Sequence, residues 1–454
     1  MVYRHNDSYN NYKKKQLVGT VAEIIKEEKA KHKEEIVEED KEERKVKEEK
    51  PLKEEKKNVE NGVREDNGNR HFTTVYTTKH TSKISHVKPF FKKPKGTENL
   101  RCDWVFDGKH ASYLYNLTQN RLKYNNNNFK DLKMDCASIK DRTYFPSTPN
   151  SQEEANFPIA VTRTVYRNYY FLELILAATY QPQNYYCYSI DQSSDILFKT
   201  QLRSLANCFD NVHVMNIERD LDGEGHLQHL ATQNCFGWLN NKRKEWKYVS
   251  ILQNHDFPMK TNLEMVKIQK LLNGSNDVLI LPSMKRINEK LDWTVGHLKL
   301  FKDKAKQSRL ANVSLSWVKG LFQATISRRT MDYLLNEMDL STLINQLDDR
   351  ATYGVDEMLY ATLLSMEVLD IPNYFTQNCI QKADYVTRQS IWEGSKHCRS
   401  KTWRHQICLY GIEDLVPNLN GQNSLYANKM MMGDFNGIVC WLELLFNRTK
   451  FLEN

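Results

Sequence analysis

The chain has 454 residues, 40% hydrophobic and 11% aromatic, enough for one large α/β domain or for two to three average ones. Its net charge of +8 comes from 65 basic and 57 acidic side chains mixed along the chain, with no basic stripe interleaved with aromatics, which argues against a nucleic-acid partner. No apolar run of about 18 residues and no signal-peptide hydrophobic segment is visible, which taken alone reads as a soluble, cytosolic chain.

From about Lys13 to Lys57 the sequence is almost all Lys and Glu with no aromatic residue, so it has too little apolar surface to offset its conformational entropy. Residues 1–95 are therefore expected to be a disordered charged tail or stem, and 96–454 a catalytic domain. From Arg101 onward apolar runs and turn signals alternate. "FPIAVTRTVYR" is a β-branched strand, "YFLELILAATYQP" has helical apolar spacing that stops at a proline, and "NYYCYSID" is a second strand ending in an acid, Asp191. "NVHVMNI" and "WKYVSILQNHDFP" add two more strands, the latter ending near Asp256, so the pattern predicts an α/β sheet with crossover helices. "KTNLEMVKIQKLL" predicts an amphipathic helix, "GLFQATISRRTMDYLL" a strand and then a helix, and "YGVDEMLYATLLSMEV" a helix entered through Gly354 with Asp356 and Glu357 in its first turn.

Nine cysteines and five N-x-S/T sequons, at Asn6, Asn116, Asn273, Asn312 and Asn447, point away from the cytosol. The cysteines form no CxxC or Cys/His cluster of the kind zinc needs, which leaves buried thiols or disulfides in an oxidising compartment.

Ligands of α/β sheets usually sit at the carboxyl ends of strands, where Asp191 and Asp256 fall. Two late cations, Arg404 and Lys429, flank the loop "LYGIEDLVPNLNGQNSLYAN". Strand-end acids with isolated cations suit an anionic leaving group, whose developing charge is neutralised by a carboxylate-held metal or by fixed positive side chains. Asp220 and Asp222 in "ERDLDGEG" are the metal-binding alternative, with a solvated loop the plainer reading. Glu357 suits a carboxylate base, although helix first turns are rich in capping acids anyway.

The blocks "WKYVSILQNHDFPMKTNLEMV", "GVDEMLYATLL" and "ICLYGIEDL…LYANKM…DFNGIVCWLE", together with "FPIAV…ATYQPQNYYCYSID", resemble in that order the core-2/I-branching β-1,6-N-acetylglucosaminyltransferases, a family that also holds the peptide O-xylosyltransferases. The resemblance spans roughly Arg101 to Leu452. It implies a GT-A-like nucleotide-sugar-binding α/β fold, a mixed sheet flanked by helices and stabilised by disulfides Cys102–Cys440, Cys136–Cys208, Cys187–Cys235 and Cys398–Cys408, with Cys379 left over. It further implies inverting transfer of GlcNAc from UDP-GlcNAc to a galactose- or GalNAc-containing O-glycan, with Glu357 as base, Asp191 near the uracil, and Arg404 with Lys429 on the diphosphate in place of a metal. His405 is the alternative to Arg404, because counting from Gly411 and from Cys398 gives different positions. Trp293 and Trp317 are expected either to stack on sugars or to sit in the core. The resemblance implies no required cofactor, a nucleotide sugar and a glycan acceptor as partners, and a Golgi location behind a type II membrane anchor; the sequon pattern by itself makes Asn116, Asn273, Asn312 and Asn447 N-glycosylation candidates. Peptide O-xylosylation and an inactive glycan-binding protein on the same fold are the alternatives.

Overall fold

The computed structural model describes residues 90–241, 245–283, 286–380 and 384–452, all within one unit. The Lys/Glu-rich stretch lies outside the described residues. Packing begins before the expected boundary at 96: the Phe91 ring lies tilted against Phe446 at 5.8 Å, and Lys92 donates to Asp141 at 2.8 Å.

The strands in chain order are β1 (Ala160–Val165), β2 (Tyr185–Ile190), β3 (Val212–Val214), β4 (Tyr248–Gln253), β5 (Asp256–Pro258), β6 (Leu281–Pro282), β7 (Val318–Lys319), β8 (Ala324–Ser327), β9 (Arg388–Gln389), β10 (Trp403–Arg404), β11 (Ile407–Cys408) and β12 (Tyr426–Asn428). Five of them form the central sheet in the order β3-β2-β1-β4-β8. The first four are parallel, and β8 closes the edge antiparallel to β4. In register, Thr162 of β1 lies between Cys187 of β2 and Ile251 of β4. Almost every residue of β1, β2 and β4 is buried, on either side of the pleat, because helices cover both faces; the strands accordingly read as near-continuous apolar runs.

Two apolar clusters fill these layers. One gathers Val165 with the helices Tyr169–Thr179, Ile196–Ala206 and Phe435–Leu452. The other gathers Val249 and Ile251 with the helices Gln228–Asn241, Arg328–Asn336 and Leu359–Ser365. The helix Asn262–Leu272 opens with a capping box in which Thr261 and Glu264 satisfy each other's backbone N–H groups. It differs from the expected amphipathic helix: over 262–270 only Lys267 and Lys270 escape burial, because Glu264 pairs with Arg448 and Asn262 donates to Glu154 at 2.7 Å, so its polar residues are partnered inside.

Four disulfides are present, Cys102–Cys440, Cys136–Cys208, Cys187–Cys235 and Cys398–Cys408. The first ties the start of the domain to its last helix across 338 residues, and the last closes a 10-residue loop around one hairpin. Cys379 falls in the short helix Gln377–Ile380, and its side chain lies outside what the structure describes. Among the described residues no helix is long and apolar enough to cross a membrane.

Candidate functional site

In an open α/β sheet the strand order reverses where consecutive connections leave on opposite sides, and the crevice there is the usual ligand site. Here the reversal falls between β1 and β4, and a cavity of about 350 Å³ opens at their carboxyl ends. Thr164 to Tyr166 enter it from β1, Asp191 from β2, and Gln253 to His255 from β4. The Asn254 side chain ties two of these ends together by accepting from the backbone N–H of Tyr166 at 2.8 Å and of Arg167 at 3.2 Å.

The opposite wall comes from the end of the chain. Arg404 closes β10, and His405 and Gln406 turn the chain back into β11 with φ of 49° and 60°. Two-residue hairpins favour such left-handed values at both central positions, where glycine or asparagine is the easy choice; here the Cys398–Cys408 bridge fastens the hairpin beside the turn. Arg404 donates from Nη2 to the Tyr166 hydroxyl at 3.2 Å, and Lys429 follows β12 into the same cavity. The two cations and Asp191, 25 to 238 residues apart in sequence, therefore face one space.

Asp256 is not a free strand-end acid. It is fully buried in β5 and accepts from the Gln253 backbone at 2.6 Å, Gln323 at 2.9 Å and Asn428 at 2.8 Å, so its carboxylate is spent on holding the Asn428–Lys429 segment against the sheet. Asp191, 7% exposed, is held by Ser193, whose N–H and hydroxyl donate to Oδ1 at 2.8 and 3.0 Å.

Positive charges crowd the hairpin side of the cavity. Burial, reinforced by Arg388 and Arg404, pushes the Lys429 ammonium down to about 8. Burial and then Arg167 and Lys429 push His255 well below its ordinary value, and burial followed by Lys429 and Arg404 lowers His405 as well. Both histidines are therefore neutral at neutral pH, and Arg404 supplies the permanent charge at the hairpin.

Glu357 lies close by but differs from expectation in its local structure. It ends a tight 3₁₀ turn, Val355–Glu357, ahead of the helix Leu359–Ser365, rather than occupying that helix's first turn. Its carboxylate faces two cations: Oε2 accepts from Lys319 at 2.9 Å and from Arg286. Arg286 reaches it across Gly354, where a Cβ would meet the guanidinium. Asp356, not Glu357, is the member of the turn that lines the cavity. Arg286, Lys319, Asp356, Tyr166 and Arg167 were not singled out from the sequence as site residues; the Asp-Glu doublet was the only local signal for any of them.

The D-x-D pair does not act as a unit. Asp220 is exposed, whereas Asp222 accepts from His226 Nδ1 at 2.6 Å, from Arg350 at 3.1 Å and from the backbone of Glu224 at 2.9 Å, which folds its own loop. Asp222, Glu224 and His226 are the described group whose spacing would suit a metal ion. Trp293 and Trp317 stand edge to face at 4.7 Å, away from the cavity walls, with Trp293 in the core and donating to Asn288 O at 3.0 Å. The sequon residues Asn116, Asn273, Asn312 and Asn447 are all exposed.

Comparison with known proteins gives the family. The model of a family described as Core-2/I-Branching enzyme matches residues 159–417, more than half of the chain. The chain is 29% identical to a beta-1,3-galactosyl-O-glycosyl-glycoprotein beta-1,6-N-acetylglucosaminyltransferase of Bos taurus, with 82% of this chain and 89% of that protein covered. It is 30% and 31% identical to the proteins of the same name, numbered 3, from Rattus norvegicus and Mus musculus, with 78% of this chain and 84% of each relative covered.

Proposed function

Because the chain belongs to the core-2/I-branching enzyme family, we propose that it is an inverting glycosyltransferase that moves N-acetylglucosamine from UDP-GlcNAc onto a galactose- or N-acetylgalactosamine-containing O-glycan through a β-1,6 bond. The observation that carries this reading is the convergence of Arg404 and Lys429 on one cavity at the strand switch point, with Asp191 on its far wall and Glu357 beside it. Two fixed cations suit a diphosphate, and Asp191 suits the nucleoside at the end of β2. Negative charge on the departing UDP is neutralised by Arg404 and Lys429, with no divalent ion required.

Glu357 is the base. Lys319 and Arg286 both bind Oε2, and among the described residues no protein group bonds Oε1. Oε1 takes the proton of the acceptor hydroxyl as that oxygen attacks the anomeric carbon, while the bond to the UDP oxygen breaks on the opposite face and its electron pair leaves with UDP. Displacement in line inverts the α-linked donor to a β-linked product. The four disulfides favour an oxidising compartment, and with the family they support a secretory, Golgi-type location.

The test is incubation of the protein with UDP-GlcNAc and a galactosyl-GalNAc acceptor in excess EDTA, with UDP-xylose and a serine peptide in parallel. A β-1,6-branched product that forms equally with chelator is expected. Transfer that stops with EDTA and returns with manganese removes the role given to the cations, and transfer of xylose to the peptide instead replaces the donor and acceptor.

A further inference from the structure

Part of the cavity wall is polar and unused by the mechanism above. Asp356 and Glu357 are neighbours in one tight turn, yet they face different surroundings: Glu357 meets Arg286 and Lys319, whereas Asp356 lines the cavity. Asp356 is 9% exposed, and its carboxyl lies against Gly225, a residue with φ of 97° whose missing Cβ leaves the space that the carboxyl fills. Among the described residues the side chain that reaches it is Gln253, whose Nε2 approaches at 3.5 Å, long for a hydrogen bond, and its own backbone N–H adds a local contact. Gln228, 7% exposed at the start of the helix Gln228–Asn241, lines the same cavity, and among the described residues its Oε1 has no hydrogen-bond partner. The Cys187–Cys235 bridge pins that helix to β2, which fixes Gln228 relative to Asp191. Buried polar groups are nearly always satisfied, so an unpartnered amide oxygen beside a weakly bonded carboxyl in a single cavity points to a polar ligand that completes them.

We propose that Asp356 and Gln228 form the subsite that reads the sugar of the donor, through hydrogen bonds to its hydroxyl or acetamido groups. The inference rests on the nucleotide-sugar reading of the cavity. In an in-line displacement the anomeric carbon must lie between the diphosphate, at Arg404 and Lys429, and the base. Asp356 is the cavity residue that adjoins the base, so the sugar ring passes it. Charge agrees with this placement: an ionised carboxylate would repel the diphosphate, but burial and then Glu357 push Asp356 up to about 7, so a large share is protonated at neutral pH and able to donate. Gln228 contributes an amide that can donate or accept according to its rotation.

Calorimetric titration of the full chain with UDP and with UDP-GlcNAc tests this. Asp356→Ala and Gln228→Leu are each expected to weaken UDP-GlcNAc about ten-fold while UDP alone changes by less than about two-fold. Asp356→Asn, which keeps the shape and an N–H donor, is expected to retain most of the sugar increment, and it serves as the readout should the alanine variant fold poorly. Equal losses for UDP and UDP-GlcNAc, or no loss for either, overturn the sugar subsite while the nucleotide reading survives. Absence of UDP binding to the unmutated protein overturns the nucleotide reading and this inference with it.

Discussion

Lys429 offers the sharpest test of the cation pair. Its ammonium titrates near 8 because it is largely buried beside Arg388 and Arg404, whereas a diphosphate next to it would hold it charged throughout the neutral range. If only the charged form binds, affinity tracks the protonated fraction, which is about nine-tenths at pH 7 and about one-tenth at pH 9 for a group titrating near 8. UDP binding should therefore weaken about ten-fold between those pH values. His255 and His405 are already neutral there and contribute nothing, whereas Asp356, near 7, and the uracil ring also lose protons. Lys429→Met shares those ionisations, so the slope attributed to Lys429 is the difference between wild type and variant.

A second readout has the opposite sign. The folded value of Lys429 lies below its ordinary 10.5, so folding disfavours its charged form: the cost is fully present below about pH 8 and is relieved as pH rises toward 10.5. At pH 7 that cost is at most on the order of 3 kcal/mol. Lys429→Met should thus bind UDP more weakly and yet melt at a higher temperature. A flat wild-type titration from pH 7 to 9, or an equal slope in the variant, would refute the reasoning.

Two further outcomes are expected. Glu357→Gln keeps the shape facing Lys319 and Arg286 but removes the proton acceptor, so turnover should fall by about 10² to 10⁴ while UDP titrates as in the wild type; a variant that retains turnover rules Glu357 out as base. Removing Cys398–Cys408 should raise the donor KM through the Arg404 hairpin with a modest loss of Tm, whereas removing Cys102–Cys440 should cost more stability by up to about 3 kcal/mol in chain entropy, 338 residues against 10. Thermal melts and donor kinetics on the two double-serine variants check both, and a larger melting loss for the short loop contradicts the ranking.

The parallel strands were legible because each is buried on both faces and so reads as a run of mostly apolar or β-branched residues, "AVTRTV", "YYCYSI" and "YVSILQ". The strand-end rule brings both Asp191 and Asp256 to the sheet's carboxyl edge, but nothing local reveals that Gln323 and Asn428, 67 and 172 residues onward, consume the Asp256 carboxylate while Asp191 lines the cavity. The helix-end rationale for Glu357 does not hold, since it closes a 3₁₀ turn, and the charges beside it come from Arg286 and Lys319, 71 and 38 residues away. Asp356 is visible in the sequence only as the neighbour of Glu357, because its place on the cavity depends on Gly225, whose partner only the folded loop identifies. Apolar periodicity is a local property, whereas partners of buried polar groups are set by tertiary contacts.

The ring of Arg163, Arg167, Arg404 and Lys429 around His255 has a bearing on the protein's stability. Like charges gathered in a closed space weaken the fold that encloses them, and an anion that fills the space returns that energy to the folded state, by about 2.7 kcal/mol when present at a hundred times its dissociation constant. On the nucleotide reading proposed above, the ligand-free form is therefore expected to melt at a lower temperature than the form saturated with UDP.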